Sequence, residues 1–218
     1  MLHRVLEPEV MNDRNEAVEY NEMDHKTINR SFVSDLLASG QLGIDCLDLG
    51  TGTALIPIEL CQRDQEIRVM ASDASTVMLE LARYQLEINN LTNRIQLHLG
   101  DAKKLIFESN FFDTVMSNSL VHHLPTHESF LLEAVRVLRP NGLLFIRDLS
   151  RPENLEQLDF LVSTYAANEN ESSQQMLRQS LQAALSLTEI RELAIAAGLP
   201  ADCVAMTSDR HWTLQTRK

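Results

Sequence analysis

The stretch Ile44-Asp45-Cys46-Leu47-Asp48-Leu49-Gly50-Thr51-Gly52-Thr53-Ala54 decides how the rest of the chain reads. Its first half is short and largely apolar, and it runs straight into two glycines separated by one residue. An apolar run of that length, closed by a glycine turn, is a buried strand entering a tight bend. The next segment, Ala54 to Arg63, reads as a helix with Thr53 as its N-cap. Pro57 fits there only in the first turn, where a missing N–H costs least.

The same alternation continues outward. Upstream, apolar residues at Ile28, Phe32, Val33, Leu36 and Leu37 form a helical stripe within 24–39, and Gly40 is placed to stop it. Downstream, strands are expected at 67–72, 94–99, 112–116 and 143–147, with helices at 75–89 and 128–138 between them. Pro140-Asn141-Gly142 is expected to be a turn. Strands alternating with helices imply a Rossmann-like, doubly wound α/β sheet whose strands are mostly parallel. Residues 203–207 and 211–215 read as a hairpin around Ser208-Asp209, which brings the sheet to seven strands with an antiparallel closing pair. Ser186-Leu187-Thr188-Glu189 fits a capping box for a helix ended by Gly198.

With 218 residues and 44% hydrophobic content, the chain has the size of a single domain. The expected organisation is an arm and helix at 1–40, a ligand-binding core at 41–150, a helical lid or substrate segment at 151–185, and the last helix and hairpin at 186–218. The net charge of −12 argues against binding to a phosphate backbone or an anionic membrane surface. Cys46, Cys61 and Cys203 stand far apart, with no pair spaced for a disulfide frame or a zinc knuckle. MLHRVLEPEV has no apolar signal-like region, and no apolar run is long enough to span a bilayer. A cytoplasmic location is the expectation.

In a wound sheet, ligands bind beyond the C-terminal strand ends, at the switch point. The residues there have separate tasks. Gly50 and Gly52 admit unusual φ and let a ligand touch bare backbone. Asp73 closes the second strand, 21 residues past Gly52, where a carboxylate can accept from both hydroxyls of a ribose. Asp101 closes the third and can accept from an exocyclic amine. Asp48 can orient the glycine turn or meet a ligand's ammonium through water.

A nicotinamide enzyme is the rival reading, but its G-x-G-x-x-G fingerprint is broken by Leu55 at the third glycine, and no second mononucleotide half is present. There is no Walker loop. His123 and His127 have the i, i+4 spacing of a helical metal pair, yet Pro125 interrupts them and the sequence shows no clear third ligand, so no metal is expected.

Taken together, Asp48 to Ala54, Asp73, Gly100-Asp101-Ala102, Phe112 to Leu124 and Leu138 to Leu144 resemble a class I S-adenosylmethionine-dependent methyltransferase, in its ubiquinone-biosynthesis-like branch. The resemblance spans about 45–148. It implies that Gly50, Thr51 and Gly52 line the methionine part of S-adenosyl-L-methionine and that Asp73 binds the ribose. It implies that Ala74 and Met78 flank the adenine, that Asp101 and Ala102 meet the adenine's amine and ring edge, and that Ser117 lies near the sulfonium. Tyr20 and Met23 fall where relatives fold an N-terminal segment over the cofactor.

The implied reaction is in-line displacement of a methyl group to a small-molecule acceptor. His122 and Asp148, with His123, are the candidates near the rim for handling a proton. The Asn/Asp-Pro-Pro-aromatic motif of enzymes that methylate base amino groups is replaced here by Ser117-Asn118-Ser119-Leu120, and no Pro-Cys dipeptide exists. A nucleic-acid substrate is therefore not expected. The alternative from another class is a non-catalytic S-adenosylmethionine-binding or interaction protein on the same fold.

Overall fold

The computed structural model describes residues 2–7, 10 and 26–218. Tyr20 and Met23 lie outside the described residues. The glycine turn sits at the centre of the sheet because its strand does. β1 (Asp45–Leu49) pairs in parallel with β2 (Arg68–Asp73) on one side and with β4 (Phe112–Asn118) on the other. β3 (Ile95–Leu99) flanks β2, and β5 (Leu138–Leu149) flanks β4, again in parallel. β7 (His211–Arg217) runs antiparallel to β5 and carries β6 (Val204–Met206) on the edge. The order is 3-2-1-4-5-7-6 in seven strands. The direction of winding reverses between β1 and β4, which makes the space beyond their C-terminal ends the switch point.

Helices cover both faces. α1 (Lys26–Ala38), α2 (Leu55–Arg63) and α3 (Thr76–Ile88) belong with one core, in which Phe32, Leu36, Ile58, Leu60 and Leu86 meet Cys46, Val69 and Phe145 of the sheet. Phe32 packs edge-on against Phe145, with centroids 5.2 Å apart, an arrangement that suits the ring quadrupoles. On the other face α4 (Glu128–Val137) and α7 (Leu187–Ala196) bury Phe130, Leu131, Ala134 and Ile190 against Leu47, Leu49, Val115 and Trp212. Both strand faces are therefore apolar, as a parallel sheet under two helical layers requires.

Two local expectations fail. Thr53 does not cap α2: Ala54 takes that position in the left-handed region (φ 61°, ψ 24°), with no side-chain cap, so the helix begins at Leu55. Pro57 does fall in the first turn. The expected turn at Pro140–Gly142 is absorbed into the start of β5, where Asn141 has φ 64° and the register against β4 shifts between Phe112 and Thr114. Ser186 does form the capping box with Glu189 at the start of α7.

The segment expected to be a lid forms α5 (Leu155–Tyr165) and α6 (Glu171–Ala183). Leu158, Leu161, Val162 and Leu181 pack with Leu149 in a separate small core, to which Leu2 adds. The N-terminal residues lie against this layer: the Val5 amide donates to the Gln182 carbonyl at 3.2 Å. Among the described residues, no helix is long and apolar enough to cross a membrane.

Candidate active site

The C-terminal ends of β1, β2, β3 and β4 open on one cleft. Asp48, Gly50, Thr51, Gly52, Asp73, Ala74, Met78, Asp101 and Ala102 all line it. The backbone explains why. Gly50 (φ 72°) and Gly52 (φ 55°) turn the chain away from β1 in a conformation that L side chains rarely adopt. The Gly50 and Thr51 amides both donate to the Ser72 carbonyl, at 2.9 and 3.0 Å, which ties the turn to the tip of β2.

The Asp73 carboxylate completes that tie. One oxygen accepts from the Gly52 amide at 2.8 Å, the other from the Ser75 amide at 2.8 Å. A carboxylate has about four acceptor sites, so acceptor capacity is left for a ligand's hydroxyl after the backbone amides are served. Burial pushes its pKa up, against the opposing pull of the Ser75, Gly52 and Ala74 amides.

Asp48 is only 2% exposed, and none of the ion pairs among the described residues involves it. Burial lifts its pKa to about 7, with the Thr51 hydroxyl pulling the other way and the nearby Asp73 adding to the rise. It is a buried acid at the wall of the cleft. Asp101 is the opposite case. Its modest burial is outweighed by the Lys103 amide at 2.8 Å and the Lys103 ammonium at 3.0 Å, so its pKa is lowered.

Three expected site residues are set apart from the cleft's lining. Ser117 is fully buried, and its hydroxyl donates to the Leu49 carbonyl at 2.8 Å. Its neighbours Asn118, Ser119 and Leu120 form the wall instead. His122 is buried behind that wall, with Nδ1 on Asp148 Oδ1 at 2.5 Å. Asp148 also accepts from the Val121 amide at 2.5 Å and the Leu149 amide at 2.6 Å. His122 and Asp148 thus hold the short 3-10 turn Val121–His123, and the rim position falls to His123, which lines the cleft.

Lys103, Asn29 and Val10 also line the cleft and were not expected there. Lys103 lies two residues past Asp101 and was open to the strand-end argument. Asn29 and Val10 come from segments that no motif connects to the cleft. No residue of α5 or α6 contributes to the lining.

Residues 47–146 match a family profile described as "Methyltransferase domain". Over that stretch, just under half of its length, the chain is similar to the class I S-adenosylmethionine-dependent methyltransferases. Its sequence is 30% identical over 111 residues to a ubiquinone/menaquinone biosynthesis C-methyltransferase of Francisella tularensis, covering 50% of this chain and 44% of that protein. It is 34% identical over 109 residues to a demethylmenaquinone methyltransferase of Lactobacillus johnsonii, covering 50% and 45%. The matched region thus spans about half of this chain and less than half of these relatives. In fold, the domain is similar to an S-adenosylmethionine-dependent methyltransferase from Aquifex aeolicus, with a TM-score of 0.73, 17% identity, and 95% of this chain and 99% of that one covered.

S-adenosylmethionine is the cofactor of this class, and the residues present fit it. A buried acid outside every ion pair among the described residues suits a cationic donor. A Cβ added at Gly52 would meet nothing within 4 Å, so that face of the turn is open for a ligand to touch backbone. The N-terminus of α2, which no side chain caps, has Leu55 and Ile56 lining the cleft and favours a negative group such as a carboxylate.

Proposed function

We propose that this chain transfers a methyl group from S-adenosylmethionine to a small-molecule acceptor. The observation that carries the reading is the convergence of the glycine turn, Asp73 and Asp101 on one cleft at the switch point, within the matched methyltransferase stretch.

When bound, S-adenosylmethionine supplies a methyl group activated on a sulfonium for in-line displacement. The chain's own residues position and shield. The Asp73 carboxylate takes the ribose hydroxyls on its free acceptor sites. Asp101 and Ala102 meet the adenine edge, and Ala74 and Met78 flank its faces. Gly50, Thr51 and Gly52 present backbone to the methionine part, and Asp48 offers the negative charge that offsets its ammonium. Ser117, His122 and Asp148 act as positioning residues, fixing the β4 tip and the 121–123 turn that form the opposite wall. Fixing two reactants in line can account for most of the acceleration without a strong base.

Two of the relatives are named for ubiquinone/menaquinone biosynthesis C-methylation and for demethylmenaquinone methylation. They share the cofactor half of this chain, which supports the donor more than the acceptor. The test is transfer of a labelled methyl group from S-adenosylmethionine into a small-metabolite extract, run beside a demethylmenaquinol sample. A labelled small product supports the proposal, and label in the quinol fraction would name the acceptor class. Tight cofactor binding with no labelled product in either arm would favour a non-catalytic binding protein.

A further inference from the structure

Behind the cleft wall, the N-terminal segment brings Glu7 against the two histidines of the 3-10 turn. Glu7 Oε1 lies 2.9 Å from His123 Nδ1 and 3.3 Å from His122 Nε2. One donor atom from each of the three residues lies within 4.8 Å of the others. The surroundings set their orientation. His122 Nδ1 is committed to Asp148, which leaves Nε2 turned to Glu7. The Ser180 hydroxyl donates to Glu7 at 3.3 to 3.4 Å. The Glu7 and His122 side chains are nearly buried, whereas that of His123 is partly exposed and also lines the cleft.

We propose that Glu7, His122 and His123 form a binding site for a divalent first-row transition metal ion, a site that no spacing in the sequence pointed to. Two imidazoles and one carboxylate are the donor set that such ions take with positions left open. A ligating histidine whose other nitrogen donates to a carboxylate is the usual supporting arrangement, and Asp148 fills that role for His122. The charge also suits a dication: Glu7 and Asp148 bring two negative charges, against Arg4. The Arg4 guanidinium donates to the carbonyls of Ala183, His122 and Leu124 and lies 3.0 Å from His127 Nε2, so the contact it makes with the cluster is to the His122 backbone and not to a donor atom of the site. Because His123 belongs to both the cluster and the cleft wall, the ion would fasten residues 2–7 to the active-site rim.

The test uses the full chain stripped with a chelator, then titrated with Zn²⁺ by calorimetry and with Co²⁺ by visible absorption. The expected result is one saturable equivalent, with cobalt bands of low coordination number. Affinity should fall at least about tenfold in Glu7→Gln and in His123→Gln and stay unchanged in His127→Gln. Circular dichroism on each variant separates lost binding from lost folding, and either of the two ligand variants suffices if the other is unfolded. Absence of saturable binding by the folded chain, or binding indifferent to both ligand variants, would overturn the site and leave three groups held together by protons alone. Neither measurement depends on methyl transfer, so the site stands or falls apart from the proposed activity.

Discussion

The Gly52 amide donates to Asp73 Oδ2 at 2.8 Å, across the gap between the β1 turn and the tip of β2. One carboxylate thereby shapes the glycine turn and faces the cleft. Asp73→Ala removes this bond and the one from Ser75, each worth about 1.5–3 kcal/mol when the acceptor is charged. It also removes the ribose acceptor, so S-adenosylmethionine should bind at least about tenfold more weakly. Asp73→Asn keeps one acceptor oxygen and should regain part of the stability but little of the affinity. Chemical denaturation and calorimetry on both variants check this. Equal affinity for wild type and Asp73→Asn would sink the ribose assignment.

The two turn glycines should respond differently to the same substitution. Both have positive φ, so an added Cβ costs about 1–2 kcal/mol in either place. At Gly50 it would also press on Leu120, with carbons at 2.8 to 3.0 Å, whereas at Gly52 it meets no protein atom within 4 Å. Gly50→Ala should therefore destabilise more. Gly52→Ala should cost little beyond its backbone strain yet weaken S-adenosylmethionine strongly. Melting temperatures and binding isotherms on the pair decide the matter, and full affinity in Gly52→Ala would mean the ligand does not approach that backbone.

The sheet was legible because each strand end carries its own punctuation. Asp48-Leu49-Gly50, Asp73, Gly100-Asp101 and Ser117-Asn118 mark four tips, and parallel topology gathers tips on one side. The hydrophobic period does not report on a wall built from sequence-distant parts. Val10 and Asn29 reach the cleft from the N-terminal region, and Glu7 reaches His122 only through packing against α6. His122 and His123 are adjacent in sequence, and only the 3-10 turn decides that one is buried on Asp148 while the other faces the cleft. Ala54 shows a further limit. A left-handed alanine breaks the usual preference, so propensity assigned the cap to Thr53 instead.

Asp101 should matter less than Asp73. Its side chain is half exposed (51%) and already paired with Lys103 at 3.0 Å. A hydrogen bond from an adenine amine must compete there with solvent and with that ammonium, and net values of about 0.5–1.5 kcal/mol are usual. Asp101→Ala should weaken S-adenosylmethionine by roughly three- to tenfold, with little change in stability. A loss larger than that of Asp73→Ala would reverse the assigned ranking. Competition binding with adenosine, run on both variants, gives the comparison.

Asp48 should impose a pH dependence on both folding and binding. Its folded pKa is raised by burial from 3.8 to about 7. The folded chain then holds this proton more tightly than the unfolded chain, so this contribution to stability is fully present below about pH 4. It is lost as pH rises from about 4 to 7, and above about pH 7 the penalty stays constant. At about 1.4 kcal/mol per pKa unit the upper limit of that penalty is ~4 kcal/mol. Asp48→Asn should accordingly match wild type near pH 4 and exceed it in stability at about pH 8. Binding has the opposite sign. A cationic ligand favours the ionised carboxylate, so S-adenosylmethionine affinity should fall below about pH 7, approaching about tenfold per pH unit. Denaturant unfolding across roughly pH 4–8, with calorimetry at roughly pH 5–7 in two buffers of different ionisation enthalpy, reads both effects. Affinity in wild type that is flat over that interval would show that the Asp48 charge does not face the bound ligand.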